Sequence, residues 1–287
     1  MTTTAKLACL LMTLLTPAFS HCQTINLTDG PGQLIWDTSI SVGAPIDNVT
    51  LTHPDLPTVQ HRREGWFAHL DFGPGFLHEF TNFTVTPSAS GNQSTLTSTW
   101  MSPIGEPIIL NLDYQINGVG PQQLPDLTWN GFLERPVAGS TIPLLDLRLY
   151  NIYDYDIGND PTSDLAEVTL TTGPNTTQVN LEGDNSATGF RGAFNNNRYQ
   201  VSEFGAVLSE TVTSHTLNNT IAPGSQSALD AAGGFQWNIP NLGIGPGSGF
   251  GIGGFGGFGT ATIPEPNATC LVALWLTACW GSRRRRR

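Results

Sequence analysis

Residues 144–155 constrain the fold more than any other stretch, because apolar and polar side chains alternate along them almost without a break. Leu145, Leu147, Leu149, Tyr153 and Tyr155 share one face, with Asn151 as its one polar member. Asp146, Arg148, Tyr150, Asp154 and Asp156 lie opposite. A period of two belongs to a β-strand. Residues 66–72 repeat the pattern: Trp66, Ala68, Leu70 and Phe72 face one way, Phe67, His69 and Asp71 the other, and Gly73-Pro74-Gly75 ends the run. Shorter candidates follow at 34–36, 49–51, 80–86, 94–100, 108–116, 127–129, 132–133, 167–172, 178–181, 199–201 and 235–239. Asn117-Gly118 and Asn130-Gly131 read as tight turns, and a short helix could start near Ser202, weakened by Gly205. About seven to twelve strands without helical periodicity predict an all-β, antiparallel β-sandwich or jelly-roll.

Composition agrees with this reading. Charged residues make up only 12% of the chain, and the abundant Thr, Asn, Ser and Gly suit strands with polar loops. The sandwich is expected over residues 21–242, as one domain or as two halves meeting near residue 140. Residues 243–262 are Gly-rich, with Phe250, Phe255 and Phe258 interspersed. They read as a linker that spaces the domain from a membrane, or as the ragged end of the last strand.

The two ends carry address information. Lys6 precedes an apolar run at 7–15, and Ala18-Phe19-Ser20 supplies small residues where a signal peptidase reads. Residues 1–20 are therefore expected to be a signal peptide, cut after Ser20 following passage through the Sec translocon. Cys22 invites a lipoprotein reading, but Phe19-Ser20-His21 lacks the small residue that should precede a lipidated cysteine. At the other end, residues 268–280 hold no charge and include Leu271, Val272, Leu274, Trp275 and Leu276. That is short of the roughly 20 residues of a stable span. Arg283, Arg284, Arg285, Arg286 and Arg287 follow and would stay on the cytoplasmic side. The arrangement predicts a short transmembrane helix acting as a stop-transfer device. A buried C-terminal helix with a solvated basic end is the alternative.

Pro264-Glu265-Pro266, the short apolar segment and the terminal arginine cluster together resemble the PEP-CTERM sorting signal of bacterial exported proteins, over residues 263–287. The resemblance implies recognition and cleavage by an exosortase, a membrane protease. It also implies transient inner-membrane anchoring followed by release to the cell surface or the extracellular matrix. A second resemblance, over residues 144–250, is carried by Tyr153-Asp154-Tyr155-Asp156-Ile157-Gly158, Asp164-Leu165-Ala166, Tyr199-Gln200-Val201 and Phe235-Gln236-Trp237. These resemble an uncharacterised β-sandwich module of PEP-CTERM proteins. That resemblance implies a fold and an address but no chemistry.

Cysteine and charge narrow the function classes. Cys9 and Cys22 lie in or beside the signal peptide, and Cys270 and Cys279 lie in the tail, so the body offers neither a disulfide framework nor a thiolate metal site. Of the 12 basic residues, six are Lys6 and the terminal arginines. The six that remain face 23 acidic residues, a net charge of −17. Such a body repels nucleic acid and anionic lipid. Cations and neutral sugars, including extracellular polysaccharide, are the partners its charge allows.

Asp154 and Asp156 would project from one strand face about 7 Å apart, with Asn159, Asp160 and Asp164 following in a Gly-containing loop. This is the densest oxygen source in the chain and suits calcium, which takes six to eight oxygen ligands. The sequence suggests no other cofactor. Asn159 and Leu165 break the helix-loop-helix calcium pattern, and turn-capping aspartates are the simpler account. His53, His61, His69 and His78, with Glu64, Asp71 and Glu79, crowd into 27 residues. Their spacing fits no zinc site, so surface histidines are expected. Trp66, Trp100, Trp129 and Trp237 could stack on sugars, but a sandwich core is the better use of them. Carboxylate pairs for glycoside hydrolysis arise by chance among 22 acids, and no Gly-x-Ser-x-Gly turn is present. The sequence thus assigns no catalytic residue. It points to an exported envelope or matrix protein of structural or interaction type rather than an enzyme. A carbohydrate-binding module, calcium-dependent or not, is the alternative, and a glycan hydrolase the third reading.

Overall fold

A computed structural model describes residues 24–54, 61–71, 75–103, 105–117, 126–136, 144–157, 164–172, 175–183, 187–221, 224–242 and 249–260. Residues 1–23 and 261–287, where the signal peptide and the sorting motif are expected, lie outside the described residues. Among the described residues the chain forms seventeen strands. They are β1 (Thr24–Asp29), β2 (Gly32–Asp37), β3 (Val49–Thr52), β4 (Arg63–Leu70), β5 (Phe76–Phe80), β6 (Thr84–Pro87), β7 (Gln93–Met101), β8 (Pro107–Asn117) and β9 (Asp126–Glu134). The series continues with β10 (Leu144–Asp154), β11 (Asp164–Thr172), β12 (Asn175–Glu182), β13 (Ala187–Phe194), β14 (Arg198–Ser202), β15 (Gln226–Leu229), β16 (Ala232–Leu242) and β17 (Gly249–Thr260). One helix, α1 (Phe204–Ser209), runs into a π-helical turn, Glu210–Ser214. Among the described residues no helix is long and apolar enough to cross a membrane.

The strands form a three-stranded sheet, β1-β2-β3, a five-stranded sheet, β14-β16-β10-β4-β5, and a nine-stranded sheet, β15-β11-β12-β13-β17-β9-β8-β7-β6. Neighbours pair antiparallel, as in β10 with β4 and β16 and in β17 with β9 and β13. The architecture is an all-β sandwich. Its core lies between the two larger sheets and extends under the three-stranded one: Trp66, Leu149 and Trp237 meet Leu112, Trp129 and Val179, with Ile25, Leu34 and Leu51 in the same cluster. Three fully buried tryptophans mark its centre. Trp66 meets Trp129 edge-on at 5.1 Å and stacks on Trp237 at 6.0 Å.

The five-stranded sheet is buried on both faces, which explains why β10 is apolar or aromatic on its second face too. Phe67, Tyr150, Ile152 and Ala232 pack against Val42, Val207 and Leu217 in a smaller cluster, with α1 as a lid. A helix therefore does form just after Ser202. Gly205 is tolerated because it lies exposed, with open space around it.

Four local expectations are corrected. Asn130-Gly131 is no turn: β9 runs straight through it, because β8 and β17 supply backbone partners on either side. The stretch 80–86 is broken, since Asn82 takes a left-handed φ of 55° between β5 and β6. The halves proposed to meet near residue 140 are interleaved, as β4 pairs with β10 and β9 with β17.

The fourth concerns the Gly-rich stretch. Residues 249–260 are not a linker but β17, a central strand of the largest sheet. Several of its glycines are there for space. A Cβ on Gly254 would lie 2.2 Å from Cζ2 of Trp129, and one on Gly192 of the neighbouring strand 2.3 Å from Cζ of Phe255. Large aromatic rings lie across this strand because the backbone beneath them is bare.

Candidate functional site

The register of β10 and β16 gathers a carboxylate cluster at one end of the five-stranded sheet. Asp154 pairs with Ala232, and the Tyr155 amide donates to the Ala231 carbonyl at 3.4 Å. The same register carried one step further sets Asp156 opposite Asp230. One carboxylate oxygen from each of Asp154, Asp156 and Asp230 lies within 4.8 Å of the others, and no other group of three such ligands occurs among the described residues. Asp154 is 4% and Asp156 7% exposed.

Two arginines at the entry to β4, Arg62 just before it and Arg63 its first residue, brace the cluster. Nη1 of Arg62 donates to Oδ2 of Asp156 at 2.7 Å, and its Nε donates to Asp47 at 2.7 Å. Nε of Arg63 stands 3.8 Å from Oδ2 of Asp154. Oδ1 of Asp154 and Oδ1 of Asp156 are buried without a hydrogen bond. Burial, then repulsion from Asp230 and Asp156, pushes Asp154 up to about 7, against the opposing pull of Arg63 and Arg62. Asp156 and Asp230 are also raised, by burial first.

The five sequence-predicted calcium ligands are only partly brought together. Asp154 and Asp156 meet. Asp164 opens β11, fully enclosed, and does not belong to the triad; Asn159 and Asp160 lie outside the described residues. Asp230 was missed. It sits far along the chain, and only the β10–β16 register could have pointed to it.

A second ionic constellation occupies the middle of the core. Oε1 of Glu64 accepts from Nη2 of Arg191 at 2.6 Å, from the Tyr114 hydroxyl at 2.5 Å and from Nδ2 of Asn151 at 2.9 Å. Nε2 of His61 stands 3.3 Å from Oε2. The Arg191 guanidinium also faces the rings of Trp129 and Tyr153. Burial alone would raise the Glu64 carboxyl. Arg191 and His61, with the bonds from Tyr114 and Asn151, outweigh it and hold the carboxyl below its ordinary range. Burial takes His61 down to about 3 despite Glu64, so its ring is neutral. The network ties β4 and β10 of one sheet to β8 and β13 of the other.

The expectation of surface histidines is corrected here. His53, His61 and His69 are buried, and His69 stacks on His215 at 3.9 Å. Trp66, Trp100, Trp129 and Trp237 are core residues, as their exposures of 8% or less require.

The outer face of the nine-stranded sheet has a different character. Thr95, Thr97, Asn111, Asp113, Thr128, Asn130, Glu134, Gln178 and Asn180 alternate with the inward apolar positions. Cross-strand hydrogen bonds join Thr97 to Asn111 at 2.8 Å and Asn111 to Glu134 at 3.2 Å. Phe255 lies between Phe194 and Phe190, at 5.3 and 5.9 Å. Beside this row a groove of about 350 Å³ is lined by Asn130, Phe194, Asn195, Gly251, Ile252 and Gly253. The six described arginines are engaged elsewhere, in the core (Arg135, Arg191), at the carboxylate cluster (Arg62, Arg63) or against the segment after α1 (Arg148, Arg198).

By sequence, no protein-family model and no curated protein matches the chain. By structure it resembles a bacterial glucoamylase solved with acarbose, with a TM-score of 0.52 and 15% identity over 87% of this chain. The match spans 36% of the glucoamylase's length, and it is a likeness of fold. A galactose mutarotase related enzyme from Lactobacillus acidophilus aligns over 84% of this chain and 98% of its own, with a TM-score of 0.39 and 9% identity.

Proposed function

We propose that this chain is an exported β-sandwich of structural or interaction type, held briefly at the inner membrane by residues 263–287 and released by an exosortase-type protease. The observation that carries this reading is where the last described strand stands. β17 completes the nine-stranded sheet at Thr260, just ahead of Pro264-Glu265-Pro266. Both partners of β17, β13 and β9, precede it in the chain, so the described sheet is built from residues upstream of the motif. An interaction role rather than turnover is supported by the burial of Glu64, His61 and Arg191, each 1% exposed or less. They form the ionic centre of the core, and a substrate could reach them only by parting the sheets.

The test is intact mass and fractionation of the protein produced with and without an exosortase. Release of a body lacking the first 20 residues and the arginines, only when the protease is present, is expected. A full-length tail retained in the inner membrane in both hosts would reduce it to a plain anchor.

A second reading gives the interaction an object, neutral extracellular polysaccharide. The Phe190–Phe255–Phe194 row and the Asn130 groove favour it, because aromatic faces beside amides and hydroxyls match the faces and hydroxyls of sugar rings. The carboxylates on that sheet face, with no arginine among them, disfavour anionic polymers. Retention on a panel of neutral against acidic glycans separates the two readings.

A further inference from the structure

We propose that Asp154, Asp156 and Asp230 form a binding site for a divalent cation, and that the ion is calcium. Three observations carry this beyond a mere concentration of acids. First, the carboxylates of Asp154 and Asp156 both place Oδ2 toward an arginine and leave Oδ1 buried without a hydrogen-bond donor. Both residues are more than nine-tenths buried. A buried carboxylate oxygen without a partner costs free energy, and one cation facing both oxygens would recover it at the two residues together.

Second, the spacing suits one ion. An oxygen from each of the three carboxylates lies within 4.8 Å of the other two, a span that two metal–oxygen bonds of about 2.3–2.6 Å bridge. The ligand set is all oxygen, with no histidine or cysteine in the group, which selects a hard cation. Third, carboxyl groups outnumber the arginines beside them. Asp47, Asp154, Asp156 and Asp230 surround Arg62 and Arg63, and Glu203 adds to the negative field at Asp230. Calcium rather than magnesium follows from how many waters each ion must shed. Magnesium gives up its hydration reluctantly and demands a near-ideal octahedron, whereas calcium accepts three carboxylates and water in irregular geometry.

The site is independent of the export reading, because cation binding is read on the purified full chain wherever that chain resides in the cell. The experiment is calorimetric titration of the chelator-treated full chain with CaCl2 and, separately, MgCl2, beside thermal unfolding. One calcium per chain is expected, in the roughly 0.1–1 mM range of extracellular modules, with a rise in Tm of about 2–4 °C at saturating calcium. Asp230→Asn should weaken binding by at least about tenfold, corresponding to about 1.4 kcal/mol. Because Asp230 is only partly buried, this variant keeps the test decisive should Asp154→Asn fail to fold. Absence of saturable calcium binding up to about 5 mM, or an Asp230→Asn chain that binds as tightly as the parent, would overturn the proposal. Equal affinity for MgCl2 would overturn the assignment to calcium.

Discussion

Arg191 of β13 donates to Glu64 of β4 at 2.6 Å across the interior of the sandwich, with both side chains essentially sealed from solvent. The pair joins the two large sheets, so its energetics differ from those of an ion pair within one sheet. Removing one member strands the other's charge in the core, at a cost of about 3–5 kcal/mol. Glu64→Met and Arg191→Met should each destabilise by that amount in urea unfolding. The double variant should cost much less than the sum, because no charge is left behind. Additive losses would show that the pair contributes through packing alone.

His61 makes the same core sensitive to acid. Its folded value near 3 lies below the ordinary 6.5, so below pH 6.5 the unfolded chain takes up a proton that the folded chain refuses. The stability is fully present above 6.5 and is lost as pH falls toward 3. Between pH 6.5 and 4.5 the loss should be roughly 2 kcal/mol. Asp154 acts in the opposite sense as its own proton binds, so the comparison must be between variants. His61→Gln should lose less stability than the parent over that window, measured by urea midpoints at several pH values. Parallel profiles would remove His61 as the cause.

The glycines of β17 are not equivalent, and the difference is measurable. Gly254→Ala drives a methyl into Trp129 and close to the Gly192 carbonyl, 2.4 Å away, and should cost about 1–3 kcal/mol or more by overpacking. Gly251→Ala meets nothing within 4 Å and should be neutral, or stabilising by up to about 1 kcal/mol. Thermal melts of the two single variants decide this. Equal losses would mean that backbone freedom, rather than space, explains the glycines.

Phe194 is the most direct probe of the outer face. Phe194→Ala removes one side of the groove that it lines with Asn130 and Gly253 while leaving the buried tryptophans in place. Affinity for a retained neutral polysaccharide should fall by about 1–3 kcal/mol, the range of a buried aromatic contact, with an unchanged melting temperature. Loss of stability with unchanged retention would place the ring in the structural column instead.

Much of the fold was legible because β-strands write their faces into the sequence with a period of two. Residues 144–155 gave β10 to within a residue. What was not legible is what other strands impose. Asn130-Gly131 has the composition of a turn but is held straight by partners on both sides. Residues 249–260 have no periodicity, because an apolar-or-Gly pattern records the bulk of the neighbouring rings rather than their own. For the site, Asp154 and Asp156 announced themselves by proximity in sequence. Asp230 did not, since antiparallel register, not spacing along the chain, brings it there. The histidines were misread for a related reason: burial in a closed core leaves no mark on spacing.

The placement of β17 also fixes an order of events. The last described strand lies between β13 and β9, so both of those strands must wait with open hydrogen-bonding edges until residues 249–260 are available. Exposed edges of this kind recruit other chains. Productive assembly therefore depends on keeping the nascent protein solitary until β17 arrives, and a chain cut short before Gly249 would be left with the surface from which aggregates grow.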